Sequence, residues 1–526
     1  MASNQGASPP DERELRRALA IAFAAAVLVA GGIFYGLVVL LDFQEIDTAA
    51  KLDAKTLFDL VKLSFGVVAG AGALVALVVA YRRQRVDETG ARREATRLHT
   101  ERFSQAVDKL GSDSPAVRLG GVHALAGLAD DAPTQDLRQT CIDVLCAYLQ
   151  LPFTPDPGED PADQEEHHRY LALRKVRHTI LRLIGDHYRR PRGTHRSWQG
   201  CDLDLTGVVI DGSMNFSGAV FSGATVNFGG AMFSGSTVNF GGATFSDGTV
   251  NFEDVVFSSS TVNFEDAVFS DGTVNFDGAV FRSGMVNFTS AAFSDGTVTF
   301  DGAEFTGATV YFSSADFSGG TVDFNSATFS GSTVDFEDAT FSDGTVDFNS
   351  SEFSGGTVDF GGATFSGGTV HFDGAGFSGG TVDFNHAEFT GATVYFSSAD
   401  FSGGTVDFNS ADFSGGTVDF TSATFSGGTV DFNSATFSGG TVEFGHTEFS
   451  SGTVHFNHAA FSDGTVHFNR AAFSDGTVHF NRAAFSGGTV DFSDATGSAR
   501  PELLAAINSP ASAVVILPSA WLPSVT

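Results

Sequence analysis

Basic residues are almost missing from the C-terminal part of the chain. Residues 201–526 contain only Arg282, Arg470, Arg482 and Arg500 against 37 aspartates and glutamates. The first 200 residues are neutral, so the net charge of -33 belongs to the C-terminal part. A negative field of this kind repels nucleic acid and attracts basic partners. We therefore expect no direct nucleic-acid binding and, as partner, a basic protein surface.

Cysteine, methionine and tryptophan are scarce as well, with three, four and two residues in 526. Cys141, Cys146 and Cys201 form neither a disulfide framework nor a metal-ligand spacing, which fits a reducing compartment. The sequence also lacks a nucleophile–base constellation and the Lys-Ser/Thr of a phosphate loop. We predict a protein that is not an enzyme and needs no cofactor or metal. An enzyme would need an unrecognised site in residues 90–199.

Charge is absent from two long apolar stretches near the N-terminus, residues 18–41 and 63–81. About 20 apolar residues suffice for a helix to cross a bilayer. Arginines 13, 16 and 17 precede the first stretch and arginines 82, 83, 85, 92 and 93 follow the second. Under the positive-inside rule, this pattern predicts a multi-pass inner-membrane protein. Its segments would be a cytoplasmic tail (1–17), a transmembrane helix (18–41), an external loop (42–62), a second transmembrane helix (63–81) and a cytoplasmic remainder.

Both apolar stretches carry glycines at small-xxx-small spacing, Gly32 and Gly36 in the first and Gly66 and Gly70 in the second. Small residues at this spacing let two membrane helices approach closely. The glycines either pack the two spans against each other or form a homo-oligomer contact.

Residues 82–199 have the pattern of a small α-helical adaptor domain. Apolar residues recur at helical spacing near 98–110, after Ser114 and Pro115, near 135–150 and over about 166–188. Residues 167–199 are rich in arginine, which favours either contact with anionic lipid or a solvated helix face. The candidate lipid-facing residues are Arg82, Arg83, Arg85, Arg189, Arg190 and Arg192.

Phenylalanine recurs in two interleaved series with a period of twelve residues. One series runs from Phe216 to Phe492 and the other from Phe221 to Phe485, giving alternating steps of seven and five. Strand residues i and i+2 face the same side, so each unit divides into two five-residue pieces such as V-D-F-N-S and A-T-F-S-G, followed by a Gly-Thr insert. Each piece has a small apolar residue, a polar residue, a Phe and two small polar residues.

These pieces resemble the pentapeptide-repeat family, whose units read A-(D/N)-(L/F)-x-x. The resemblance covers residues 200–495 and implies a right-handed quadrilateral β-helix, here built from a 12-residue double unit, with the large residue inward. The Gly-Thr insert departs from the family pattern and should widen alternate corners. The tail, residues 496–526, is expected to cap the end of the solenoid or to form a dimer contact.

A coil made of two double units follows from the residues themselves. A coil made of one double unit would have too short a perimeter to enclose two Phe, a Val and an Ala. A coil made of two double units has four faces and encloses four Phe. Strands stack about 4.8 Å apart, so the repeats make about 11–12 coils. Seven and five alternate because two kinds of corner alternate.

The residue after each Val should face outward, and its identity changes along the repeats. Asn comes first, Asp dominates the middle, and His455, His467 and His479 lie near the end. Stacked like charges repel, so the acidic residues either form a partner surface or maintain solubility. The candidate partner surface is Asp323, Asp335, Asp347, Asp359, Asp383, Asp407, Asp419 and Asp431. His455 and His479 should stack on one face and respond to pH.

The functional expectation is a non-enzymatic scaffold held at the membrane, which uses the acidic β-helix for protein–protein interaction. The alternative is a DNA-mimicking modulator of a type II topoisomerase or of another DNA-binding protein. It comes from the family resemblance, because some pentapeptide-repeat proteins mimic duplex DNA and modulate type II topoisomerases. The acidic composition fits both hypotheses, whereas a membrane anchor fits the first better.

Overall fold

A computed structural model describes residues 54–154, 156–158, 164–497 and 514–521, together with Leu28, Gly31, Gly32 and Tyr35. The chain divides into two compact units, Met1–Thr100 and Glu101–Thr526.

Four α-helices are described, followed by a solenoid of short strands. They are α1 (Ala54–Leu110), α2 (Pro115–Asp130), α3 (Gln135–Gln150) and α4 (Gln164–Tyr188). Ser114 is the N-cap of α2 but makes no side-chain capping bond, whereas Thr134 accepts a hydrogen bond from the Leu137 N–H at the start of α3. The predicted small helical region is therefore present.

The two predicted membrane spans differ in how much of them is described. Residues 18–41 lie outside the described residues apart from the four named above, and residues 63–81 lie within α1. Over the part of the chain that the structure describes, no helix has both the length and the apolarity needed to cross a bilayer.

The solenoid consists of four parallel sheets, and each strand pairs with the strand that lies two double units further along the chain. Val226 pairs with Val250, for example, and Phe257 with Phe281. The four sheets follow one another around each coil and contain 14, 13, 12 and 12 strands. The coil of two double units and four faces is thus confirmed, with about twelve coils in the stack.

Sheets A and C are built from the T-V-x pieces. The strands of sheet A are Leu203–Asp204, Thr225–Asn227, Thr249–Asn251, Thr273–Asn275, Thr297–Thr299, Thr321–Asp323, Thr345–Asp347, Thr369–His371, Thr393–Tyr395, Thr417–Asp419, Thr441–Glu443, Thr465–His467, Thr489–Asp491 and Val514–Ile516. The strands of sheet C are Met214–Asn215, Thr237–Asn239, Thr261–Asn263, Met285–Asn287, Thr309–Tyr311, Thr333–Asp335, Thr357–Asp359, Thr381–Asp383, Thr405–Asp407, Thr429–Asp431, Thr453–His455 and Thr477–His479.

Sheets B and D are built around the second Phe series. The strands of sheet B are Val209–Ile210, Met232–Ser234, Val256–Ser258, Val280–Arg282, Glu304–Thr306, Thr328–Ser330, Glu352–Ser354, Gly376–Phe377, Asp400–Phe401, Thr424–Phe425, Glu448–Phe449, Ala472–Phe473 and Thr496–Gly497. The strands of sheet D are Val220–Ser222, Thr244–Ser246, Val268–Ser270, Ala292–Phe293, Asp316–Phe317, Thr340–Phe341, Thr364–Phe365, Glu388–Phe389, Asp412–Phe413, Thr436–Phe437, Ala460–Phe461 and Ala484–Phe485.

The interior of the solenoid is filled by columns of stacked Phe rings. Phe384 and Phe408 have ring centroids 4.7 Å apart and planes 3° apart, and Phe377 and Phe401 lie at 4.8 Å and 3°. These phenylalanines, like the Val of each T-V-x strand, are buried. Each fully buried side chain stabilises the fold by about 1.5–3 kcal/mol relative to exposure. Because each coil contacts only its neighbours, stability accumulates along the stack.

Two kinds of corner alternate around the coil. After sheets A and C the chain makes a β-turn in which, for example, the Ala327 N–H donates to the Phe324 carbonyl and Ser326 has a φ of 55°. A positive φ at this position is required by a type II turn. The longer S-G-G-T corner after sheets B and D holds the two-residue insert. The step of seven residues crosses this corner, and the step of five crosses the turn.

The described ends of the solenoid are both covered. Helices α3 and α4 pack on the first strands of sheets A and C. At the other end, the strand Val514–Ile516 pairs with Thr489–Asp491, and a 3₁₀ turn, Ser519–Trp521, follows. The Trp521 ring lies 5.4 Å from that of Phe492, and its indole N–H donates to the Gly497 carbonyl.

Candidate functional site

The eight candidate aspartates do not form one surface, because they alternate between sheets A and C. Those on sheet C occupy five successive strands, and those on sheet A are three residues interrupted by other side chains. We call the first set the C lane, which consists of Asp335, Asp359, Asp383, Asp407 and Asp431. The second set, the A set, is Asp323, Asp347 and Asp419.

The C lane is continuous because each aspartate pairs in register with the next. Asp359 is paired with Asp335 on one side and with Asp383 on the other, and the pairing runs on through Asp407 to Asp431. At the spacing of stacked strands, about 4.8 Å, five carboxylates form one line along a single face. A line of like charges at this distance costs stability.

The A set has no such continuity. Asp323 and Asp347 are paired, but His371 and Tyr395 follow in the next two strands, with their rings stacked 4.9 Å apart. Asp419 is then separated from the first two residues by these rings. Sheet A therefore presents a mixed surface and sheet C an acidic one.

Each candidate aspartate also has a structural role that the sequence analysis missed. The Asp383 carboxylate accepts a hydrogen bond from the backbone N–H of Asn385 at 2.8 Å, and Asp431 accepts one from Asn433 at 2.7 Å. The same bond occurs at all eight positions. It is an Asx turn, in which a side-chain oxygen accepts from the N–H two residues on. The signal was the Asn or Asp immediately before the Phe that begins each turn.

Asparagine fills the same role in the first coils. The side-chain oxygens of Asn227, Asn239 and Asn263 accept from the N–H groups two residues on, at 2.8–3.0 Å. The amide of Asn251 also donates to the Asn227 oxygen of the neighbouring coil at 3.3 Å. The turn thus needs an oxygen acceptor but not a negative charge, which separates the structural role of these positions from the charge of the C lane.

The acidic positions are half-buried. Burial raises the pKa of the Asp359 and Asp407 carboxyls. The N–H bond of the Asx turn opposes the rise, and the aspartates of the neighbouring coils add to it. Asp323 on sheet A has its pKa raised in the same way. The carboxyls are held in fixed orientations, which lowers the entropy cost of binding a partner.

The six candidate lipid-facing arginines fall into two groups. Arg82, Arg83 and Arg85 are exposed on α1. Arg189 is engaged within the protein, because its guanidinium donates to the Asn215 carbonyl at 2.9 Å and to Asp186. Arg190 is half-buried. Arg192 is exposed beside a cleft of about 530 Å³ that is lined by the end of α2, the start of α3 and the loop that follows α4.

The junction between the helices and the first coil depends on polar residues that sequence reasoning did not single out. The buried Arg177 donates to the Leu149 carbonyl at 2.7 Å and to the Val209 carbonyl at 2.8 Å, and it lies over the Phe153 ring. Asp211 accepts hydrogen bonds from Tyr170 and His178. Although burial acts in the opposite direction, these contacts and Arg174 lower the pKa of Asp211 to about 2.

The three cysteines are buried in the core of this junction and form no disulfide bond. Burial raises the pKa of Cys141 to about 11 and that of Cys146 to about 12, so neither is a nucleophile at neutral pH. Among the residues described, no group of three or more His, Cys, Asp or Glu is placed to hold a metal ion.

The family model for pentapeptide repeats, which comprises nine copies of the unit, matches residues 300–351. These residues are therefore similar to the pentapeptide-repeat family. The matched residues lie in the middle of the solenoid, and the same strand register continues on both sides of them. Comparison with curated proteins and with solved structures finds no match. A pentapeptide-repeat β-helix fits a protein-interaction scaffold.

Proposed function

We propose that this pentapeptide-repeat protein is a non-enzymatic scaffold, tethered to the cytoplasmic side of the inner membrane, whose C lane recruits a basic protein surface. The observation that carries the proposal is the run of five aspartates in register on sheet C. Charge arranged in this way steers and orients a complementary partner. The repulsion within the lane is relieved when a cationic partner binds.

The tether is supported by the apolar surface of α1. Phe58, Leu74 and Leu77 are each exposed over 66–71% of their area. Residues 63–81 carry no charge, and the arginines Arg82, Arg83 and Arg85 follow directly. Exposed apolar side chains of this density favour a lipid environment, and adjacent arginines favour the cytoplasmic leaflet.

The proposal is tested with two charge-neutralised forms of the full chain expressed in its native membrane. One carries Asn at the five C-lane positions and the other carries Asn at the three positions of the A set. Asn preserves the Asx-turn acceptor, as Asn227 and Asn239 show, so both variants should fold.

Partners are captured by cross-linking and identified by mass spectrometry, and their basic surfaces are then tested with purified components. We expect a partner that binds the wild type and the A-set variant but not the C-lane variant. Equal capture by all three proteins would show that the C lane serves solubility only. Membrane fractionation with alkaline washing tests the tether separately, and release of the wild type into the wash would contradict it.

The alternative function, modulation of a type II topoisomerase by mimicry of DNA, has one observation in its favour. A net charge of -33 lies within residues 201–526. About twelve coils at about 4.8 Å rise therefore give a linear charge density close to that of duplex DNA, about one negative charge per 1.7 Å. A supercoiling assay of a bacterial type II topoisomerase with the purified full chain tests this function. Unchanged supercoiling at a large molar excess would eliminate it.

A further inference from the structure

The C lane does not end with its last aspartate, because it continues in register into two histidines. Asp431 is paired with His455, and His455 with His479, on the last two strands of sheet C. The two imidazole rings stack 5.1 Å apart with planes 13° apart. One flat face of the solenoid therefore has carboxylates on one side of a boundary between coils and imidazoles on the other.

This arrangement is complementary to itself. If a second copy approaches face to face and antiparallel, a two-fold axis parallel to the strands and placed between Asp431 and His455 relates the two molecules. Asp431 then faces the second copy's His455, and Asp407 faces its His479, so one axis produces four charge pairs. A parallel arrangement would place Asp against Asp and His against His, which repel.

The remainder of the face allows close approach. The second outward column of sheet C consists of the short side chains of threonines 405, 429, 453 and 477, and the hydroxyls of Thr453 and Thr477 lie 3.2 Å apart. Four coils at about 4.8 Å give a contact about 19 Å long. A contact of this size is small compared with a stable interface, so it should form and dissociate readily.

The charge on the imidazoles decides whether the contact is attractive. His455 faces Asp431 on one neighbouring strand and His479 on the other. His458 and Arg482 lie at the adjoining turns, and Asp475 precedes the last strand of sheet C. Burial lowers the pKa of His455, although Asp431 opposes this effect. With its lowered pKa, His455 is uncharged at neutral pH and leaves the general repulsion between two acidic solenoids unopposed.

We propose that this face is a pH-controlled self-association surface, on which the Asp407–Asp431 segment of one copy binds the His455–His479 segment of a second copy. Association is strongest where the imidazoles are protonated and the carboxylates are still ionised, around pH 5. This proposal does not rest on the scaffold function proposed above, since the binding partner is a second copy of this chain. Association would cover two of the five C-lane aspartates and so compete with any basic partner.

Sedimentation velocity of the full chain in nonionic detergent measures this association at about pH 5 and about pH 7.5. We expect a concentration-dependent increase toward twice the monomer mass at the lower pH only. H455N/H479N should remove the increase, because the Asn amide carries no charge at either pH. The variant should still fold, because Asn occupies the same column of sheet C in earlier coils. H455K/H479K should produce it at both pH values. H467N on sheet A, where His467 lies between Glu443 and Asp491, is the matched control and should behave as wild type.

Disulfide cross-linking between engineered cysteines tests the antiparallel geometry. In a mixture of T405C and T477C chains, the two thiols come together across the contact, whereas two copies of either variant hold their thiols about 14 Å apart. Oxidation at the lower pH should therefore link T405C to T477C and neither variant to itself. The proposal is overturned if H455N/H479N associates as the wild type does, or if H455K/H479K stays monomeric at about pH 7.5, or if the homodimeric links predominate. Any association through the small-xxx-small glycines of the two apolar N-terminal stretches would be common to all variants.

Discussion

Gly404 lies directly against Phe377 of the preceding coil, so closely that a Cβ added to Gly404 would be 2.8 Å from the Phe377 Cβ and 2.9 Å from the Gly380 carbonyl oxygen. The corner of the S-G-G-T type therefore approaches the coil beneath it without room for a side chain. The first glycine of the same corner, Gly403, has only a backbone nitrogen nearby, at 3.9 Å.

The two glycines of this corner should consequently respond differently to the same substitution. Gly404→Ala forces the coils apart and should lower the free energy of unfolding by about 1–3 kcal/mol. Gly403→Ala, at a position where φ is not positive, should be neutral or stabilise by about 0.4–1 kcal/mol through the unfolded state. Urea unfolding of both variants measures the difference. Equal effects would show that the corner is not tightly packed.

The turns after sheets A and C contain residues other than glycine in the left-handed region. Ser422 has a φ of 62°, a conformation that costs an L-residue about 1–2 kcal/mol. Ser422→Gly should therefore raise the free energy of unfolding by a fraction of that amount, because glycine loses more entropy on folding. Ser426→Gly, four residues later and outside the left-handed region, should lower the free energy of unfolding. Thermal unfolding of the pair distinguishes the two effects, and a shift of the same sign in both would contradict the argument.

Acidification should stabilise the coils of the solenoid and destabilise the junction between the helices and the first coil. The pKa values of Asp323, Asp359 and Asp407 are raised above the ordinary value of 3.8. The folded solenoid therefore takes up protons more readily than the unfolded chain and gains stability from these groups as the pH falls toward 3.8. The pKa of Asp211 is lowered from 3.8 to about 2, so its stabilising contribution is lost as the pH falls from 3.8 to about 2.

The two local stabilities can be followed by hydrogen exchange and mass spectrometry at several acidic pH values. The rates are corrected for the intrinsic exchange rate at each pH. Protection should rise in the coils around Asp359 and fall near Asp211 and Tyr170. In the variant with Asn at positions 323, 359 and 407, the gain in the coils should disappear, and the protein should be more stable than the wild type at neutral pH. A uniform loss of protection along the chain would contradict the prediction.

Arg177 should be the most sensitive polar residue of the helical junction. Arg177→Ala leaves the Leu149 and Val209 carbonyls without their donors and removes the stack on Phe153. We expect a loss of about 3 kcal/mol in the stability of this region. Arg182→Ala on the same helix removes only an exposed ion pair with Asp186 and should change stability by less than about 1 kcal/mol. Hydrogen exchange in α3 and α4 measures both, and the coils beyond residue 300 should not change.

The repeat and its consequences were predictable from the sequence alone. Phe at alternating steps of seven and five, with Val and Ala two residues before each Phe, specifies short strands, an inward apolar set and a coil of two double units, because strand periodicity and the volume of four Phe admit few closed shapes. The helices of residues 115–150 and 164–188 were likewise predictable from apolar spacing and from the Pro at the first position of α2. Each of these features is local and is repeated or periodic along the chain.

The grouping of the polar residues, in contrast, follows only from the closed coil. The eight aspartates look like one series in the sequence, yet closure of the coil after every second double unit sends alternate members to different sheets and leaves one continuous lane, which continues into His455 and His479. The hydrogen bonds of Arg177 and Asp211 also join residues that are far apart in the chain. Their partners depend on where α4 meets the first coil, and no periodicity in the sequence encodes that contact.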